Sequence, residues 1–121
     1  NTMAAPNIVN VASIVGKTSV LILTTSNQDI VTNSSSSGKV YKINSLSAAN
    51  VNGSAAAQVT VAIIRSGTEY RIASTIYVPA NSTLMVISKD AQIYLEEGDS
   101  IRVVASANNY LHATCSYEMI S

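Results

Sequence analysis

Apolar residues recur at every second position in segment after segment of this chain, and that period limits it to β structure. In QVTVAIIR (58–65), Val59, Val61 and Ile63 fall on one face, with Gln58, Thr60 and Ala62 on the other. YRIASTIYV (70–78) is expected to turn Tyr70, Ile72, Ile76 and Val78 inward, and Arg71, Ala73, Thr75 and Tyr77 outward. Ser66 and Gly67 between them make a two-residue turn, so 58–78 reads as a β-hairpin. Downstream, TLMVIS (83–88) is apolar on both faces, which fits a strand covered on both sides or one facing a partner chain. QIYL (92–95) is a shorter strand. SIRVVASA (100–107) alternates again, and YLHATCSYEMI (110–120) sets Leu111, Ala113, Cys115, Tyr117 and Met119 against His112, Thr114, Ser116 and Glu118. Upstream, TSVLILTT, DIVT and KVYKINSLSAANV supply three more candidates. Eight or nine short strands spaced about 8 to 12 residues apart predict an all-β fold, an antiparallel, jelly-roll-like β-sandwich.

A chain of 121 residues is one domain by length, and nearly half of it is hydrophobic without a single Phe or Trp. Its core is therefore expected to be built from small branched side chains, which suit a pleated surface. Seven basic residues balance seven acidic ones and are spread along the sequence, so no basic footprint for nucleic acid exists. The longest apolar run, Val20–Leu23, is far short of the roughly 20 residues of a membrane helix, and no membrane partner is expected. A lone cysteine, Cys115, rules out an intrachain disulfide within this sequence. The NSSSSG stretch (33–38) reads as a flexible surface loop, and VPANST (78–83) as a turn.

The stretch MAAPNIVNVASIVGK (3–17) is apolar but lacks helix caps and a helical stripe. Residues 1–17 read as an extended arm ahead of a sandwich domain over 18–121. An exposed arm would leave Ile8, Val9, Val11, Ile14 and Val15 unburied at roughly 1 kcal/mol or more each, so something is expected to cover it. Two readings stay open: an edge strand of its own sheet, or an arm laid on a neighbouring subunit. In the second, Pro6, Ile8, Val9, Val11, Ile14 and Val15 form an interface.

Glu96, Glu97 and Asp99 crowd within IYLEEGDSIRV (93–103), where they read as the exposed tip of a hairpin turned by Gly98. Sequence neighbours on one tip do not make a general acid and base held across a cleft; a weak Ca²⁺ site is the remaining option. His112 is the only histidine and reads as a surface or interface residue; Cys115 reads as a buried thiol. No glycine-rich phosphate loop and no Gly-x-Ser-x-Gly elbow exist, so neither a cofactor nor catalysis is expected. Tyr77 and Tyr94, both outward in alternation, suit an interface or a sugar-stacking platform. NGS (52–54) matches a glycosylation pattern, with nothing else pointing to a secretory route.

SSGKVYKINSL, ANVNG, YRIASTIYVPANSTLMVISKD, IYLEEGDSIRV, the closing CSYEMIS and the opening MAAPNIVNV, taken in this order, cover most of the chain. In them it resembles small virion structural proteins of tailed bacteriophages, particularly those infecting marine bacteria. The resemblance implies a non-enzymatic sandwich built into the virion, most simply a capsid decoration or cement protein. It would bind the assembled shell through its arm and sandwich surface. The major capsid protein and other phage structural proteins are the implied partners, and a homo-oligomer, by analogy a trimer, is the implied state. A tail, neck or fibre component and a host-glycan-binding module are the alternatives.

Overall fold

Of the chain, residues 13–121 are described by the structure, a computed structural model. The alternating segments become nine strands: β1 (Ile14–Ile22), β2 (Gln28–Thr32), β3 (Val40–Asn50), β4 (Ala57–Arg65), β5 (Thr68–Val78), β6 (Thr83–Ile87), β7 (Ile93–Leu95), β8 (Ser100–Ala105) and β9 (Leu111–Ile120). Every pairing is antiparallel. One sheet runs β1-β9-β3-β6, with the short β7 also on β3, and the other runs β2-β8-β4-β5. Strands adjacent in sequence mostly sit in opposite sheets, so the chain winds back and forth across the antiparallel sandwich its sequence predicts.

Inward positions of both sheets meet in one core. Ile43, Leu46, Leu111 and Cys115 from the first sheet and Val59, Val61, Ile101 and Val103 from the second are essentially sealed from water. Tyr41 and Tyr117 stack at 5.4 Å between ring centres and pack against this core from one side. Small branched side chains suffice because the two sheets alternate in and out in register. The β4–β5 hairpin closes through Ser66 (φ 55) and Gly67 (φ 77), both left-handed, as a two-residue turn of the primed type requires.

Three expectations need correcting. β5 does not keep a single period: its register against β4 slips twice, between Val59 and Val61 and between Val61 and Ala62, and Thr75 takes φ 48. Each slip inserts an unpaired residue and changes which side chains face in. Ala73 therefore turns toward the core beside Ile72, whereas Tyr70 and Ile76, both expected inside, are exposed. Second, Thr60 and Ala62 are buried on the nominally outer face. β4 is a central strand, and Ala62 is flanked across the ladder by the long side chains of Arg71 and Arg102. Third, β7 and β8 are not a hairpin. β7 pairs with β3 and β8 with β2 and β4, so residues 96–99 cross from one sheet to the other.

Ile14 to Lys17 belong to β1, hydrogen-bonded to β9, and Ser13 and Ser121 extend that ladder by exchanging two backbone bonds of 3.0 Å. This is the edge-strand reading for residues 14–17; residues 1–12 lie outside the described part. Leu111 fills the middle of the core, so Leu111→Ala is expected to cost about 2–5 kcal/mol in urea unfolding while leaving the strand content seen by circular dichroism intact.

Candidate functional site

Apolar side chains that the fold fails to cover gather on β1. Ile14 is 57% exposed, Val15 43%, Val20 68% and Ile22 53%. They lie on both faces of the strand: Val20 and Ile22 on the outer side, Val15 on the inner side beside Met119. β1 ends its sheet, and among the described residues it pairs only with β9. Cross-strand registers continue the outer face as two rows, Val20–Thr114–Ser47–Met85 and Ile22–His112–Ala49–Thr83. No charged side chain stands in either row. A shallow hollow lined by Val20, Ile22, His112 and Thr114 opens there.

The other edges of the sandwich are built differently. β2 has five residues and a register slip between Asp29 and Val31. β5 carries its two bulges. The far edge of the first sheet is split into β6 and β7, five and three residues long, by a 3₁₀ turn at Lys89–Ala91. Short, bulged or interrupted edges resist pairing with another chain. β1 alone presents nine residues in unbroken register.

Of the residues singled out from sequence, Ile14 and Val15 fall on this edge; Pro6, Ile8, Val9 and Val11 lie outside the described residues. Tyr77 and Tyr94 are both exposed, as expected, but on different sheets: Tyr77 beside Gln58 in the second, Tyr94 beside Lys42 in the first. They do not form one stacking platform. His112 sits exposed in the middle of the outer face, between Ile22 and Ala49. Cys115 is buried, and burial pushes its thiol pKa up to about 12.

Of the acidic trio Glu96 is exposed and Glu97 half-buried, but Asp99 does not belong to an exposed tip. Asp99 is only 2% exposed. Its carboxylate accepts two hydrogen bonds from Arg65, from Nε at 3.0 Å and Nη2 at 2.6 Å, and a third from the Glu96 backbone N–H at 2.8 Å. Beside it, buried Asn33 donates from Nδ2 to the carbonyls of Lys39 and Leu95 and accepts from Ser37. The Asn33 N–H and C=O bond the Asp99 carbonyl and the Gly98 N–H, and the Glu97 carboxylate accepts from the Gly38 N–H. The serine loop is thus pinned at both ends. Burial by itself raises the Asp99 pKa, but the Arg65 hydrogen bonds, the Glu96 N–H and the Arg65 charge outweigh it and hold the carboxyl below its ordinary value. With its lone pairs so engaged Asp99 is not available to a cation, and among the described residues no group of three or more His, Cys, Asp or Glu side chains is arranged to hold a metal.

No family model matches the chain, and no curated protein matches it. Among solved structures, it is similar to a chain of Bacillus endospore appendages, which form disulfide-linked pili, with 13% identity and a TM-score of 0.50 over 99% of this chain and 96% of that one. It is also similar to a pentameric capsid protein from metagenomic phage sequences, with 14% identity and a TM-score of 0.41 over 97% of this chain and 64% of that one. The likeness to the appendage chain is one of fold.

Sequence reasoning missed the weight of Val20 and Ile22. The clue is the run Val20–Leu23, apolar at consecutive positions in a strand that has one neighbour among the described residues.

Two measurements check these assignments. Because the folded-state pKa of Asp99 lies below its unfolded value of 3.8, the stability it contributes is complete above that pH and is lost as pH falls through the folded value. Asp99→Ala is expected to cost about 1–3 kcal/mol at neutral pH, with the gap to wild type closing in acid, as read by thermal unfolding across pH. Cys115 is expected to resist iodoacetamide in the folded protein at mildly alkaline pH and to react at a rate that follows unfolding.

Proposed function

We propose that the protein is a non-enzymatic structural subunit that works in many copies, and that the assembly it joins is a virion. The observation that carries the first half is the β1 edge: nine regular residues with uncovered apolar groups on both faces, in a fold whose other edges are blunted. A chain that met nothing would be expected to blunt this edge too. The sequence resemblance to small virion proteins supports the second half. The appendage chain, with the same fold, is a precedent for such a sandwich as a building unit.

Within a virion, a capsid decoration or cement protein is the reading we favour. Its partners would be the major capsid protein and further copies of itself. Residues 1–12, with Pro6, Ile8, Val9 and Val11, would lie on the shell or on a neighbour. On the strands of the first sheet the outer face carries one opposed pair of charges, Glu118 and Lys42, and this balance suits dense packing of like subunits, which like charges would oppose. Many modest contacts made together then hold more firmly than any one of them.

Immunogold electron microscopy of particles from the source, with antibody against this domain, tests the location: label over the head is expected. Label confined to the neck or tail would move the protein to a tail, neck or fibre component. Deleting residues 3–12 spares the whole β1–β9 ladder and is expected to leave the unfolding midpoint within a few degrees of wild type while abolishing incorporation. Normal incorporation of that variant would remove the role given to the arm.

A further inference from the structure

The phase of the β1–β9 ladder fixes which backbone groups of β1 are free. Ser13 and Ser121 exchange both N–H···O=C bonds, and the Leu23 N–H bonds the Leu111 carbonyl at 2.9 Å, with no register slip between. In an antiparallel ladder such pairs recur at every second residue. The odd-numbered residues of β1 therefore bond β9. Ile14, Gly16, Thr18, Val20 and Ile22 turn their N–H and C=O groups to the open edge.

IVGKTSVLI, the sequence of β1, is nearly palindromic in character about Thr18. Apolar residues stand at both ends, Ile14 and Val15 against Val20, Leu21 and Ile22, with Lys17, Thr18 and Ser19 between. Resting on the assembly reading above, we propose that two copies of this chain pair β1 with β1, antiparallel, about a two-fold axis at Thr18. Ile14 then opposes Ile22 of the second copy, Val15 opposes Leu21, Gly16 opposes Val20, and Lys17 opposes Ser19.

Strand parity and the placement of side chains select this register. Edge-facing residues must oppose edge-facing residues, and here every even-numbered residue meets an even-numbered one, so each such pair exchanges two backbone bonds. The inner and outer faces must also stay continuous, which the same parity secures. Among the registers left, an axis at Lys17 would set two lysines face to face, and an axis at Ser19 would leave Ile14 and Val15 unpaired. The axis at Thr18 uses all nine residues and keeps the lysines apart. Gly16, where an added Cβ would meet nothing within 4 Å, leaves room for Val20 of the second copy.

Such a contact is isologous and closes on itself, joining the two β1-containing sheets into one. It differs from the three-fold ring that analogy suggests. The blunted β2, β5 and β6–β7 edges offer no matching place for further strand pairing, so the product is a dimer.

Sedimentation equilibrium of the full chain tests it. Wild type is expected at twice the monomer mass, Thr18→Val likewise, and Thr18→Lys, which brings four lysines around the axis, at half that mass with an unchanged circular dichroism spectrum and a cooperative unfolding transition. The register has its own test. A mixture of Lys17→Cys and Ser19→Cys chains is expected to give a covalent dimer under mild oxidation, because directly opposed residues without ladder bonds approach within disulfide range, while neither variant alone cross-links. Both results are required. Cross-linking of one variant alone overturns the register, and an oligomer of any size that ignores Thr18→Lys overturns the β1 contact while leaving the assembly reading in place. A monomeric wild type that still labels particles also overturns the contact alone; a monomer absent from particles overturns both.

Discussion

Backbone hydrogen bonding at the outer strands is the constraint on which this sandwich depends. Inside each sheet the N–H and C=O groups are satisfied between neighbours, but a two-sheet sandwich leaves outer strands whose free groups will accept another chain. The sequence handles them unequally. A slip at Asp29–Val31 shortens the usable part of β2, two bulges and the left-handed Thr75 bend β5, and a 3₁₀ turn breaks the β6–β7 side. On β1 there is no bulge, no proline and one charge. An edge left regular among edges made irregular is an asymmetry on which the proposed assembly role rests, because the same devices were open to it.

The ends of the sandwich are held by a different means. With no Phe or Trp to wedge the loops, each end is tied by a buried asparagine. Asn33 links the β2–β3 loop to the crossing at residues 96–99, where Arg65 from the β4–β5 hairpin clasps Asp99. Asn50 donates to the carbonyls of Ala55 and Val78 and accepts from the Asn52 N–H, tying the β3–β4 loop to the end of β5. An asparagine side chain carries two donors and an acceptor, so it satisfies several loop carbonyls and amides that water cannot reach. These polar clusters brace the ends while the aliphatic core holds the sheets.

Period-two alternation made the architecture legible before any coordinates. The hairpin at 58–78, the inward set on β8, the set Leu111, Ala113 and Cys115 on β9 and the burial of that cysteine all follow from it, whereas at the end of β9 Ile120 is buried in place of Met119. It failed where its assumption of one unbroken period failed. Tyr70 and Ile76 were misplaced because a bulge leaves no mark in composition: Thr75 at φ 48 is a position where glycine or asparagine would have given warning. Asp99 reads as exposed along with Glu96 and Glu97 because Gly98 and the flanking apolar pairs fit a hairpin equally well. Only knowledge that β7 and β8 belong to different sheets, and that Arg65 lies opposite, reveals Asp99 as a buried anchor. The apolar segment at 14–17 was recognised as needing cover, but which strand was an edge, and which backbone groups it left free, depend on sheet order, and strand order is not written in any local run.

Edge pairing also accounts for what β1 lacks. Protein interfaces usually draw much of their energy from a few aromatic or arginine anchors seated in pockets. β1 has neither, and the exposed tyrosines Tyr70, Tyr77 and Tyr94 lie on other strands. A contact built on ladder bonds needs no such anchor, since its geometry is set by the backbone and its register by where side chains of unlike size and charge fall. Val, Ile, Thr and Gly then serve better than large side chains, which would hold the strands' flanks apart or favour a single pocket. The proposed contact would be modest by itself and sharply specific in register, as repeated placement of one small subunit in an ordered assembly would require.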